Sequence, residues 1–389
     1  MILVHVAHSY YPVLGGIERA VQKMAEHQIE LGHEVHIITS HYGAENRAFK
    51  EELNSVHIHR VKAWRLHYPD LTIPRESCES LLREANVIHV HGQNSLFNIL
   101  LAKRAKRMGR CIVMDFLALD YLKLHLNPII RLFGSCYQER IQHEAAKFVD
   151  EAITLNERDQ RLLKEKYEVE STVIPHGIDE SYLMKPKDEK LFREKYNVYE
   201  ENVMAYVGRI HPSKGLDVLV KALPLITSKV NNFVAVIAGG GSEAYRRHLL
   251  MLAKKLKVED RVRILGYINE DEKISLLDAS RVFVFPTRHF GEAYPLVIDE
   301  AYAREIPIVT TGVGAMPYRV KHMETGILIP TDDPSSLSRA VVTLLKDDDL
   351  LANMHRQLRS IKKSLLTWRQ VCLRLNKIYD DAMKVSQAG

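Results

Sequence analysis

Cysteine is scarce in this chain. Cys78, Cys111, Cys136 and Cys372 are the four in 389 residues, and they lie far apart in no CxxC or Cys/His spacing. That pattern excludes a zinc ribbon or a disulfide scaffold and points to reduced thiols in a cytoplasmic protein. Long hydrophobic runs are missing too, since no stretch approaches the roughly 20 apolar residues of a membrane span. The opening MILVHVAHSYYP has neither a basic n-region nor a small-residue cleavage site, so it reads as a first strand rather than a leader. Neither sign of charge dominates. A formal charge of +5 is compatible with phosphates or an anionic surface but names neither. With no zinc-finger spacing, no RRM aromatic signature and no dominant basic tract, no nucleic-acid partner is expected. GxGxxG and a convincing DxD motif are also absent, so neither a dinucleotide nor a metal is expected.

What is present is alternation. With 46% apolar and 26% charged residues over its length, the chain fits two soluble domains. Ile2–Ala7 reads as a strand and Val35–Thr39 as the next. Between them the spacing predicts a helix over 16–31, with Ile17, Ala20, Val21, Met24, Ala25 and Ile29 on one stripe. This is a βαβ unit with Gly15 and Gly16 at its first turn. Further strands are expected at Val56–Arg60, Val87–Val90, Cys111–Asp115, Ala152–Leu155 and Thr172–Ile174, with helices near 95–108, 129–148 and 157–167. The turn-rich and then charged stretch 175–200 reads as a boundary. A second series follows at Asn202–Val207, Phe233–Ala238, Arg261–Leu265, Val282–Phe285, Ile308–Thr311 and Gly326–Ile329. The class is therefore α/β, with two Rossmann-like domains of parallel sheet over 1–178 and 199–365. A helical, basic tail over 350–385 carries Leu358, Ile361, Leu365, Trp368, Val371, Cys372, Leu375 and Ile378 as its apolar stripe.

The stretch FVFPTRHFGEAYPLVIDEAYAR at 283–304 concentrates the chemistry. A β-rich run ends at Pro286, and Pro295, with its helical φ and missing N–H, suits a helix start. Glu292 then precedes the helix and Glu300 lies in its second turn, both directed toward one opening. Acids beside a helix N-terminus suit a ligand carrying phosphate and hydroxyl groups. Ligands of open α/β sheets bind beyond the carboxyl ends of the strands. There GRIHPSKGLD offers Arg209 and Lys214 as a forked donor and a mobile cation for a diphosphate. Gly239, Gly240 and Gly241 allow close approach of a ligand or simply a tight turn, and Gly266 and Tyr267 are weaker candidates for contact with a base. In the first domain, His89 and His91 close the fourth strand, where a histidine is as often a bonded core residue as a functional one. Asp115 and Asp120 flank the next strand exit. Lys103, Arg104, Lys106, Arg107 and Arg110 form a basic helix end, read as a solvated face or, less often, a membrane-surface patch.

Together YYPVLGGIE, GHEV, VIPHGID, VGRIHPSKGLD, AGGG, RVRILGY, EAYPLVIDE and TGILIPTDDP resemble, in order and nearly end to end, the retaining glycosyltransferases of family 4. That resemblance implies the GT-B fold, two facing Rossmann-like domains with a cleft between them, and a last helix, 366–389, packing back on the first domain. It implies a metal-independent, cytoplasmic hexosyltransferase with a nucleotide diphosphate sugar as donor and no further cofactor. By matching positions Arg209 and Lys214 would hold the diphosphate, Glu300 the ribose and Glu292 the sugar. Tyr294, Pro295 and Leu296 of the same motif, with Gly240, Gly266 and Tyr267, would border the donor. Gly15 and Gly16 would approach it from the first domain, and His91 is the histidine candidate for catalysis. The acceptor would be a glycan, a small molecule or a lipid-linked sugar, the last with peripheral membrane contact. The sequence departs from the family where a histidine is usual after the fifth strand, since Leu117 stands there. Asp115, Asp120, His91 and His176 are candidates to substitute for it, and a non-catalytic sugar-nucleotide-binding protein of the same fold is the alternative reading.

Overall fold

The computed structural model describes every residue except Leu14, His67, Tyr68, Leu126 and Gly389, and omits the side chains of Pro69 and of 385–388. Leu14 of the YYPVLGGIE stretch and Gly389 of the expected last helix thus lie outside the described residues. The chain divides into two compact units, Met1–Gly177 with Leu366–Gly389, and Ile178–Leu365.

The first unit contains β1 (Ile2–Val6), β2 (Glu34–Ser40), β3 (Lys50–Leu53), β4 (Val56–Val61), β5 (Ala63–Arg65), β6 (Thr72–Pro74), β7 (Val87–His91), β8 (Cys111–Phe116), β9 (Glu151–Thr154) and β10 (Ser171–Val173). Eight of these make one sheet in the order β10-β9-β8-β7-β1-β2-β4-β3, parallel throughout except for β3 against β4. The pair β5 and β6 forms a separate antiparallel ribbon. The central strands β7 and β8 are buried along their whole length, which is why they read as continuous apolar runs. β3, with sequence KEEL, escapes sequence reading because it is a half-exposed edge without alternation. Chain order reverses between β1 and β7, where His5 pairs in register with His89.

The second unit contains β11 (Asn202–Val207), β12 (Phe233–Ala238), β13 (Val262–Ile264), β14 (Ser280–Phe285), β15 (Ile308–Thr311) and β16 (Gly326–Ile329). They form an all-parallel sheet in the order β13-β12-β11-β14-β15-β16, the doubly wound arrangement with its reversal between β11 and β14. The charged stretch 178–198, expected to lie outside the 199–365 domain, belongs to this unit. Its short helices Glu180–Met184 and Lys190–Tyr196 bury Tyr182 and Phe192 in the core. The Arg304 guanidinium donates to the carbonyls of Tyr182 (3.0 Å) and Lys185 (2.8 Å) and makes two 2.7 Å bonds to Asp278.

The tail is two helices, Asp348–Ser364 and Trp368–Ala388, rather than the single one its stripe suggests. The break is a reciprocal cap. Thr367 N donates to Gln370 Oε1 at 2.9 Å, and Gln370 N donates to Thr367 Oγ1 at 3.3 Å, the signature of a helix start. Leu358 therefore packs in the second unit, while the helix from Trp368 packs on helix Gly16–Glu30 and on β8. Trp368 is 2% exposed, and a Cβ on Gly177 would lie 2.6 Å from its Cα, so chain and helix are in tight contact there. Trp368→Ala should destabilise the first unit by about 3–5 kcal/mol, read as a lowered urea midpoint of its unfolding transition. A loss below about 1 kcal/mol would show that this helix start contributes little.

Candidate functional site

At the carboxyl edge of the second sheet the loops after β11 and β14 meet. Gly215, at φ +67°, permits the approach, because a Cβ there would lie 2.0 Å from the Pro286 carbonyl oxygen. Lys214 and Glu292, drawn from these two loops, form an ion pair in which both side chains are largely buried. Thr287 Oγ1 donates to the same Glu292 oxygen at 3.0 Å. The Lys214 ammonium also sits 5.2 Å from the Phe285 ring centroid, a cation–π distance. Glu292 is fixed from behind by the loop after β15. Ala315 N donates to the Glu292 carbonyl at 2.9 Å, and Gly314, at φ +56°, passes so close that a Cβ would lie 2.7 Å from that oxygen. Arg209 is exposed and makes no salt bridge among the described residues. Partial burial, then the charges of Arg209 and Lys214, lower the basicity of His211 in the same loop. The edge is thus electropositive around one fixed carboxylate.

Arg288 ties this edge together. It makes a bidentate pair with Asp217 at 2.7 and 2.9 Å, donates to the Pro212 carbonyl at 3.0 Å and pairs with Asp332 beyond β16. Burial alone would raise the Asp217 carboxyl, but Arg288 and Lys221 hold it well below the usual range. The expected helix starts at Leu296 with Pro295 as its cap. Glu300, in its second turn, is buried and accepts from Lys273 at 3.0 Å. Tyr294 is buried, with its hydroxyl donating to Asp299 at 2.5 Å and Arg319 stacked 3.7 Å from its ring centroid, so it positions the loop rather than offering a free hydroxyl. Gly239 and Gly241 are required by neighbouring loops, since Cβ atoms there would lie 2.0 Å from Gly208 O and 2.3 Å from Ile210 O. At Gly240 and Gly266 a Cβ would meet nothing within 4 Å. Tyr267 is 72% exposed on the same edge. Sequence reasoning missed Thr287, Arg288, Asp217, Lys273 and Gly314. For Gly314 the signal was its place in TTGVGAM after a strand; the charged residues gave none, because their partners are remote in the chain.

In the first unit Gly15 caps helix Gly16–Glu30 in an extended conformation, and at Gly16 a Cβ would meet nothing within 4 Å. His91 has a different place from the one expected of a catalytic group. It is 3% exposed, its Nδ1 bonded to Asp115 Oδ2 and its Nε2 to His5 Nδ1, each at 2.7 Å. The ring of contacts closes through His5 to Gln28 (2.6 Å), Gln28 to Tyr379 (3.0 Å), Tyr379 to His89 (2.8 Å) and His89 to Asp115 (3.1 Å). His5, His89 and His91 form the one trio among the described residues with ligand atoms within 4.8 Å of one another, but these bonds already occupy all six ring nitrogens. Burial and the neighbouring imidazoles push His5 and His91 below their ordinary value. Burial opposes charge on Asp115, yet the facing histidines hold it low. Leu117 is buried, its backbone gripped on both sides by the Gln93 amide at 2.8 and 2.9 Å. Of the other candidates to substitute for the missing histidine, Asp120 pairs with Lys123 and Lys166, and His176 packs 5.7 Å from the Trp368 ring centroid.

Comparison with known proteins agrees with this architecture. The fold is GT-B, shared with the sucrose-phosphate synthase of Thermosynechococcus elongatus at a TM-score of 0.81, 20% identity and 99% coverage of each chain. Residues 14–182 match the family described as Glycosyltransferase Family 4, and residues 188–361 match Glycosyl transferases group 1. The chain belongs to glycosyltransferase family 4. A D-inositol 3-phosphate glycosyltransferase from Corynebacterium glutamicum (strain R) is 31% identical over 189 residues. That match spans 46% of this chain and 44% of the relative, less than half of either. The N-acetyl-alpha-D-glucosaminyl L-malate synthase of Bacillus anthracis is 26% identical over 97% of both chains.

Two measurements test this geometry. Arg288→Ala should lower the stability of the second unit by about 2 kcal/mol, because it strands two carboxylates; an unchanged urea midpoint would contradict the clamp. For the first unit the sign with pH follows from His5 and His91. Their folded values lie below the unfolded one of 6.5, so on acidification the unfolded chain takes up protons first and stability falls as pH drops below about 6.5. Asp115 adds to the loss only at still lower pH, because its folded value is depressed from 3.8. His8 and His59 of the same unit, pushed down to about 4 mainly by burial, add to the loss, and Asp70, pushed up to about 6 by burial, opposes it, so a net fall remains and equal urea midpoints for this unit at pH 7.5 and 5 would refute the assignment.

Proposed function

We propose that the protein transfers a hexose from a nucleotide diphosphate sugar to an acceptor hydroxyl with retention at the anomeric carbon. The observation that carries the reading is the buried Lys214–Glu292 pair at the β11/β14 reversal, with Arg209 exposed in the same loop and without a salt bridge among the described residues. Arg209 and Lys214 bind the diphosphate, joined by the first-turn amides of helix Leu296–Ala303, which have no intrahelical partners. Glu300 takes the ribose hydroxyls and Glu292 orients the sugar, and Gly240, Gly266 and Tyr267 border the nucleoside. In the reaction the bond between the anomeric carbon and the diphosphate oxygen breaks, the acceptor oxygen bonds to that carbon, and the hydroxyl proton passes to the departing diphosphate. The protein's task is to neutralise charge growing on that leaving group, which preorganised cations and amides do without reorganising. No role is assigned to His91, whose nitrogens are taken. No helix among the described residues is long and apolar enough to cross a membrane; the cytoplasm is the proposed location, where nucleotide sugars are met as free donors.

A second reading, donor binding without transfer, is favoured by Leu117, which offers no side-chain donor where the family places a histidine. A thermal-shift screen of nucleotide sugars identifies the donor first, since a ligand at about 100 times its Kd stabilises the fold by about 2.7 kcal/mol. With that donor, Arg209→Ala and Glu292→Gln should each lower kcat/KM for transfer or donor hydrolysis by about 100-fold or more, with unchanged circular dichroism. Variants as active as the parent would overturn the site, and a parent that binds donor with no Glu292-dependent turnover would establish the second reading.

A further inference from the structure

A second group of histidines stands on the first sheet, on the face opposite the buried ring. In the parallel pairing of β1 with β2, His5 lies beside Ile37 and Val4 beside His36, so two-residue alternation separates His5 from His36. In the pairing of β2 with β4, His36 lies beside His57 and Ile38 beside His59. The three imidazoles of His36, His57 and His59 therefore share one face. The His36 ring stacks on His57 with centroids 4.9 Å apart and tilts against His59 at 5.3 Å. Its Nδ1 faces His59 Nε2 at 3.1 Å, and its Nε2 meets Glu34 Oε1 at 3.0 Å. His57 Nδ1 lies 3.7 Å from Glu52 Oε2.

The carboxylate decides the tautomer. An ionised carboxylate only accepts hydrogen bonds, so Glu34 fixes the His36 proton on Nε2 and leaves Nδ1 as a lone pair aimed at His59. An imidazole held by a carboxylate at one nitrogen and open at the other is the arrangement of metal-ligating histidines. The spacing agrees. Two nitrogens, each about 2.0–2.1 Å from a tetrahedral zinc ion, lie about 3.3 Å apart, close to the 3.1 Å between His36 Nδ1 and His59 Nε2. If the His59 proton sits on Nδ1, both facing nitrogens offer lone pairs and no proton has to leave the protein. We propose that His36 and His59 bind a divalent transition ion of the zinc class, oriented by Glu34 and with solvent completing its coordination. Imidazole ligands favour such ions over magnesium and calcium. Glu34 is exposed, so the site opens to solvent, whereas in the buried ring every imidazole nitrogen already has a partner. Lys50, opposite His59 on β3, is exposed and carries its charge on a flexible stem that can turn away. The ion clips β2 to β4 beside the edge strand β3, and its binding energy adds to the stability of the first unit. The inference does not depend on the transfer reaction.

The test is calorimetric titration of the purified, chelator-stripped full-length chain with zinc chloride at pH 7.5, with magnesium chloride as the control. The parent should take up zinc saturably at one ion per chain, its thermal midpoint should rise with zinc, and magnesium should do neither. His36→Gln and His59→Gln should each abolish that uptake while leaving the metal-free circular dichroism unchanged. Glu34→Gln keeps both ligands and, lying at an exposed position, spares the fold, so it decides the matter even if a histidine variant does not fold; it should weaken zinc binding by about tenfold or more. A parent that binds no zinc, or binds magnesium as well as zinc, would overturn the proposal. So would histidine variants that bind like the parent, since the ion would then lie elsewhere, or an unchanged affinity in Glu34→Gln.

Discussion

The arrangement of the carboxyl edge of the second sheet depends on one guanidinium. Arg288 spends its planar fork on Asp217, its remaining donors on Pro212 and Asp332, and so fixes the loops after β11, β14 and β16 to one another. A forked, permanently charged group with several preset donors can define such a geometry, whereas an ammonium on a flexible stem cannot. Lys214 has the complementary property. It is held by Glu292, and under the proposed function it turns, as a mobile point charge, toward the diphosphate without dismantling the loop. Fixing and yielding are thus divided between two cations on neighbouring loops, and Thr287 and Gly314 keep Glu292 in register with both.

Much of the scaffold is legible in the sequence because its strands are buried on both faces. Val203–Val207 and Phe283–Phe285 are continuous apolar runs, and a parallel sheet covered on two sides produces such runs. Lys214, Glu292 and Glu300 are legible from their positions after strand ends. Arg288 and Asp217 are not, since they are 71 residues apart and each alone resembles a surface charge. Glu300 is found but not Lys273, its partner on the helix Glu270–Ala279, because nothing local distinguishes a lysine that will be buried. The 178–198 stretch misleads for a related reason. Its charges suggest a linker, while two aromatic residues, Tyr182 and Phe192, decide where it packs.

The buried ring in the first unit shows how far strand periodicity can reach. Two-residue alternation puts His89 and His91 on one face, but sheet order is needed to set His5 beside His89 and Asp115 beside His91. The cover comes from Tyr379, 290 residues beyond His89. Polar groups on a buried sheet face are costly unless each finds its partner. The helix that closes the ring must therefore arrive in a single register, and the Thr367/Gln370 cap, by starting it at Trp368, contributes to setting that register.

The basic helix end and the segment after β8 show two limits of one-dimensional reading. Five cations near 103–110 look like a surface field until the acids that meet three of them are found elsewhere in the chain. Leu124, Ile129, Leu132 and Phe133 are exposed, while the helix that follows them buries Gln138 and Gln142 beside Ile141 and Ala145. Those amides are satisfied by Asn94, so their burial costs little, and the fold gains nothing from leaving Ile129, Leu132 and Phe133 in water.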